Sequence, residues 1–138
     1  MKKSILLMVG LSVLGNNLLA DANLAEKIKF QNNKVVKLAA EEISKQLPQK
    51  VDKYTQLVKI VGKDESLLYT FEIDTGSKSD DTVIKEDKSR MKKAITKGIC
   101  TSSIRFLKSG IDISYIYASS KSKKALFRFD VSMKDCEK

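Results

Sequence analysis

Histidine and tryptophan are absent from this 138-residue chain, proline occurs once, cysteine twice and glycine six times. Without histidine the chain lacks the commonest general base and the commonest transition-metal ligand. A Ser-His-Asp triad, a Cys-His pair and a histidine-based zinc site are thereby excluded. Scarce glycine and proline, beside 42% hydrophobic and 31% charged residues, exclude a collagenous, low-complexity or disordered chain. What remains is an ordinary globular composition at the length of one domain. No glycine-rich phosphate loop, nucleophile elbow or calcium loop occurs.

Apolar runs are confined to the start of the chain. Met1-Lys2-Lys3 is basic, Ile5 to Leu14 is apolar, and small residues follow at Ala20 and Ala22. This is the pattern of a signal peptide over residues 1–22, cleaved after Ala20 or Ala22. Gly15 and Asn16-Asn17 stop the run short of the roughly 20 residues a membrane span needs. No cysteine lies near the cleavage region, so a lipoprotein anchor is not available. The expectation is a periplasmic protein whose mature chain, residues 23–138, is one domain without a transmembrane segment.

Both cysteines, Cys100 and Cys136, fall in that mature chain, and an even count in an exported domain predicts one disulfide between them. A metal site would need two more soft ligands, and a redox pair is normally spaced C-x-x-C. Neither is present, and no metal or cofactor is expected.

Asn23-Leu24-Ala25-Glu26 resembles a capping box. Leu24, Ile28, Val35, Ala39, Ile43 and Leu47, with Val36 and Ala40 alongside, then supply the core-facing stripe of a helix, weakened at Asn32-Asn33 and stopped by Pro48. Thr55 to Val61, a turn at Gly62 to Glu65, and the alternation of Leu67, Tyr69, Phe71 and Ile73 predict a hairpin. A second helix is expected to start after Ser79 or Asp80 and to carry Ile84, Met91, Ile95 and Ile99. A short helix from Ser103 to Lys108 should end at Gly110. Ile111, Ile113, Tyr115 and Tyr117, then Phe127, Phe129, Val131 and Met133 across a turn at Ser119 to Lys124, predict a second hairpin. The expected fold is α+β, a four-stranded antiparallel sheet of two hairpins with helices packed on one face, in the order α-β-β-α-β-β.

Chemistry is thinly supported. Glu41 and Glu42 are helix neighbours about 100° apart and cannot face one substrate. Asp80-Asp81 reads as a helix start, and Glu72 with Asp74 as a solvated strand face. No catalytic residue is assigned and no enzyme is expected. The unusual feature is charge, a net +9 from 26 basic and 17 acidic residues. Lys85, Lys88, Arg90, Lys92, Lys93 and Lys97 crowd the second helix, and Lys121, Lys123 and Lys124 form a hairpin tip. They are candidate contacts for an anionic surface. Nucleic acid is not expected as a partner, because the chain reads as exported and its aromatics occupy core positions of strands. Lysine also far outnumbers arginine, which favours a solvated surface over specific phosphate recognition.

The run Leu47-Pro48-x-x-Val51-Asp52-x-x-Thr55-x-Leu57 is followed by alternation about Leu68 and Tyr69. Cys100, Leu107-x-x-Gly110-x-x-x-x-Tyr115-x-Tyr117 and a final Asp135-Cys136 come later. Over residues 40–136 this resembles a widespread group of small, uncharacterised exported bacterial proteins with one C-terminal disulfide. The resemblance implies export, the disulfide and an α+β layout, and no activity. The functional expectation is a non-catalytic periplasmic protein that binds another envelope component, either a protein or something anionic. The alternatives are an accessory or chaperone of a secretion or pilus assembly, an inhibitor or immunity-type protein, and, less favoured, a hydrolase.

Overall fold

The computed structural model describes residues 23–137 in full and residues 6–22 as helical backbone alone. The expected signal peptide, residues 1–22, and its cleavage point lie outside the fully described residues. Residues 1–31 form one unit and residues 32–138 another. Helix α1 (Leu6–Ser44) supplies the described part of the first unit and opens the second.

The helix does not break at Asn32-Asn33, because both side chains have tertiary partners that a solvated asparagine lacks. Asn32 is buried, and its Nδ2 donates to Glu65 Oε2 and to the Ser109 carbonyl, both at 2.8 Å. Asn33 Oδ1 accepts from the Glu65 backbone N–H at 2.9 Å. Asn32→Leu should therefore cost about 1–3 kcal/mol, since it removes two hydrogen bonds of a buried amide, to the Glu65 carboxylate and the Ser109 carbonyl. Urea unfolding checks this, and an unchanged midpoint would mean the amide contributes nothing. Of the expected stripe, Val36 and Ala40 turn inward and Ala39, Ile43 and Leu47 pack against the core, while Leu24, Ile28 and Val35 are exposed.

The sheet has five strands and is mixed, which corrects the expected four-stranded antiparallel sheet and its order α-β-β-α-β-β. Its strands are β1 (Gln49–Asp52), β2 (Thr55–Lys63), β3 (Ser66–Ile73), β4 (Asp112–Ser119) and β5 (Ala125–Val131), side by side in chain order. The two expected hairpins, β2–β3 and β4–β5, are present. They meet in parallel, Tyr69 opposite Tyr115 and Phe71 opposite Tyr117. The reason is the long link between them. It carries the chain back across the sheet before β4 begins, as a parallel pair requires. The link holds α2 (Asp80–Lys85), α3 (Ser89–Ser102) and α4 (Ile104–Lys108), and α5 (Met133–Cys136) closes the chain.

The expected second helix is thus two helices. Ser79 caps α2, with Asp80 and Asp81 in its first turn. Asp87 then interrupts the chain by accepting from the backbone N–H and hydroxyl of Ser89. Those bonds, with charged Lys88 beside it, hold its carboxyl below the usual range. Gly110 (φ +88°) ends α4 as expected. The first hairpin turn is tighter than expected. Asp64 and Glu65, both left-handed, make the reversal, and Gly62 lies within β2.

The apolar sheet face is covered by helices. Val36 and Ala40 of α1 pack with Ile60, Leu67 and Ile111. Ile99 of α3 and Leu107 of α4 pack with Ile113 and Val131. Between them, Leu57, Phe71, Tyr117 and Phe129 form a third cluster against Met91 and Ile95 of α3. The opposite sheet face is polar in part, with Lys123 paired to Glu72 and Arg128 to Asp130.

Candidate binding cleft

The third cluster is incompletely roofed. Aromatic residues repeat at every second position of β3, β4 and β5, and parallel pairing of the two hairpins places these rows side by side. Phe71 lies 4.8 Å from Tyr115 and 5.0 Å from Tyr117 between ring centroids. Tyr69 lies 5.2 Å from Tyr115. The α3 turn above this floor presents Met91, Ala94 and Ile95, and β1 forms the other rim with Gln49, Lys50, Val51 and Asp52. A cleft of about 540 Å³ remains between them. It is within the size range of sites that bury apolar ligand groups.

The polar equipment of the cleft is three tyrosine hydroxyls. Tyr69, Tyr115 and Tyr117 all line it, and among the described residues none of their hydroxyls has a hydrogen-bond partner. Burial pushes the Tyr69 hydroxyl up to about 12, with Tyr115 adding to the shift. Burial also raises Tyr115, and it raises Tyr117 with help from Tyr115 and Asp52. All three are neutral at physiological pH, each able to donate one hydrogen bond and accept others. An apolar floor with a few unengaged polar tips suits a peptide or an amphipathic side-chain surface.

Strand alternation alone places these tyrosines in the core, and charge alone points to the lysines as the contacts. Phe71 and Tyr117 are indeed buried, but Tyr69 and Tyr115 are half-exposed to the cleft. The available signal is Ala94 on α3, a residue too small to close the roof over the rings. The nine basic candidates do not form one surface. Lys88 is turned inward, where its Nζ donates to the Ile84 and Glu86 carbonyls and lies 5.1 Å from the Phe127 ring centroid. Lys121 donates to the Gly76 carbonyl at 2.6 Å, and Lys123 pairs with Glu72 at 2.9 Å. Lys85 ends α2, and Lys124 lies in the β4–β5 turn. Arg90, Lys92, Lys93 and Lys97 stand together, exposed, on α3.

Among the acidic candidates, Glu72 has Lys123 as its partner, and Asp80 accepts from Ser122 Oγ at 2.7 Å. Among the described residues no group of three or more potential ligands could hold a metal ion. The expected disulfide is present, joining Cys100 of α3 to Cys136 of α5 with Cα atoms 5.6 Å apart. No helix among the described residues is long and apolar enough to cross a membrane.

A mixed sheet with helices on one face, an open aromatic cleft and a disulfide locking the last turn define a small α+β domain. Residues 31–127 match the family model described as a domain of unknown function, DUF8479, and the chain belongs to that family. The uncharacterised membership expected from the sequence is met to that extent. No curated protein matches. Three solved structures share the fold. A Pseudomonas aeruginosa protein assigned as secreted is 13% identical, with a TM-score of 0.69 over 79% of this chain and 96% of its own. EpsS, a pilotin from the Vibrio vulnificus type 2 secretion system, is 12% identical with a TM-score of 0.66, over 80% and 96%. AspS, the type II secretion system pilotin of Vibrio cholerae, is 11% identical with a TM-score of 0.64, over 81% and 98%.

Proposed function

We propose that this is an exported, non-catalytic envelope protein that holds a segment of a partner protein in the cleft between β1 and α3, as an accessory of a secretion assembly. The observation that carries this reading is the floor of Tyr69, Phe71, Tyr115 and Tyr117, left open with its hydroxyls unengaged. Two type II secretion pilotins share the fold, which supports an accessory role over the other binding roles. The disulfide and the signal-like N-terminus support the periplasm as its place of work. The cleft lining includes one carboxylate, Asp52, whereas a hydrolase working through paired carboxylates needs a second.

Ala94 tests the reading, because it lines the cleft and its side chain is exposed. A photoreactive phenylalanine analogue at Lys50, an exposed residue of the opposite rim, activated in growing cells, is expected to trap a discrete adduct containing a secretion-assembly protein. The same analogue at Lys59, an exposed β2 residue outside the cleft, should not trap it. Ala94→Trp should fill the cleft and abolish capture while leaving the thermal midpoint within a few degrees of wild type. Adducts that are identical from both positions, or capture that survives Ala94→Trp, would overturn the assignment.

A further inference from the structure

Between Asp87 and Asp112 the chain contains no acidic residue, while it contains Lys88, Arg90, Lys92, Lys93, Lys97, Arg105 and Lys108. Lys88 is consumed as a cap for α2. The other six are exposed on α3 and α4, which pack beside each other on the sheet. Among the described residues none of the six forms an ion pair. On the other face of the sheet the charges are balanced by the Lys123–Glu72 and Arg128–Asp130 pairs. Positive charge is therefore sided: the helical layer carries an uncompensated surplus.

Arg90, Lys93 and Lys97 follow the spacing of one helical ridge about 10 Å long. Beside it a groove of about 650 Å³ is lined by Lys92, Lys93, Lys97, Ser89, Thr96 and Thr101, and floored by the disulfide. Asp135 also lines this groove, but its carboxylate accepts from the Ser132 backbone N–H at 2.8 Å and so caps α5.

We propose that the outer face of α3 and α4 docks on an anionic phospholipid surface. Six unpaired cations spread over two helices match many shallow phosphate charges, and the lysine- and hydroxyl-lined groove fits a single headgroup. An acidic protein partner is the poorer match. Carboxylate recognition favours converging bidentate arginine forks, whereas α3 offers three lysines as point charges and one arginine. The proposal does not depend on what occupies the aromatic cleft.

Vesicle flotation tests it, with vesicles of phosphatidylcholine alone and of equal parts phosphatidylcholine and phosphatidylglycerol. The apolar run from Ile5 to Leu14 can enter any bilayer, so retention on phosphatidylcholine is the baseline. Wild type is expected to bind the anionic vesicles more tightly than that baseline, and to lose the excess as salt rises. Lys93→Gln with Lys97→Gln should weaken the excess by about 25-fold, about fivefold per charge. The charge-matched control Lys59→Gln with Lys63→Gln should leave it unchanged. Equal retention on both vesicles, or equal weakening by the control pair, would overturn the proposal. So would binding to immobilised polyglutamate that depends on Lys93 and Lys97 without any preference for anionic vesicles, which would assign the face to an acidic protein.

Discussion

Gly62→Ala is expected to destabilise the domain by about 3 kcal/mol or more, the upper end of what overpacking costs. Gly62 sits within the β2–β3 pairing, opposite Leu67 and one pair before the turn, where conformational freedom is not needed. What is needed is the absence of a side chain. A Cβ at this position would run into the carbonyl of Val36 and the backbone nitrogen of Lys37. Those atoms belong to the main chain of α1 and cannot swing aside as a side-chain tip would. To accommodate one methyl group, α1 must lift from β2, and Val36, Ala40, Ile60, Leu67 and Ile111 lose contact together. At about 4 °C or more per kcal/mol for a domain of this size, the midpoint should fall by roughly 12 °C or more.

Gly98 supplies the matched contrast. It lies in α3, where an added Cβ meets nothing within 4 Å. Gly98→Ala should stabilise by about 0.5–1 kcal/mol through helix propensity alone. Thermal unfolding of the two variants side by side separates crowding from any general effect of replacing glycine. If Gly62→Ala melted with wild type, α1 would not be seated on β2 as described.

The same glycine shows where the sequence was legible and where it was not. The periodicity of residues 55–73 and 111–133 locates four strands, because alternation is a local property of the pleat. Gly62 reads as a turn residue in isolation, and the close approach of a helix more than twenty residues upstream is invisible there. The direction of β4 against β3 is equally non-local. Two hairpins in a row look antiparallel until the length of chain from Asp74 to Ile111 is seen to cross the sheet. β1 escaped because Gln49–Asp52 is exposed at all four positions and so has no apolar period. At the site, alternation identified Tyr69, Tyr115 and Tyr117 as inward-facing. It could not say that α3 would present Ala94 to them and leave the floor open. Lysine clusters are legible as charge but not as partners, because nothing local shows that Lys88 holds a helix end and Lys123 a carboxylate.

Breaking the Cys100–Cys136 bond is expected to cost about 3–4 kcal/mol, the loop-closure value for a loop of this length. The two cysteines are 36 residues apart in sequence, and the loop between them contains α4, β4 and β5. Its closure also fixes α5, a four-residue helix that its own capping box of Ser132 and Asp135 could not hold in place alone. Cys100 and Cys136 both pack against the cluster of Ile99, Leu107, Ile113 and Val131, so the bond joins α3 to the end of β5 through apolar surroundings. Cys100→Ser and Cys136→Ser should therefore destabilise by similar amounts, and the double variant by little more than either. All three lose one and the same constraint, so the effects of the single variants cannot add. Dithiothreitol should lower the urea midpoint of wild type and leave that of the double variant where it is. Two reactive thiols in the native protein, or a double variant as stable as wild type, would show that the bond does not close the domain.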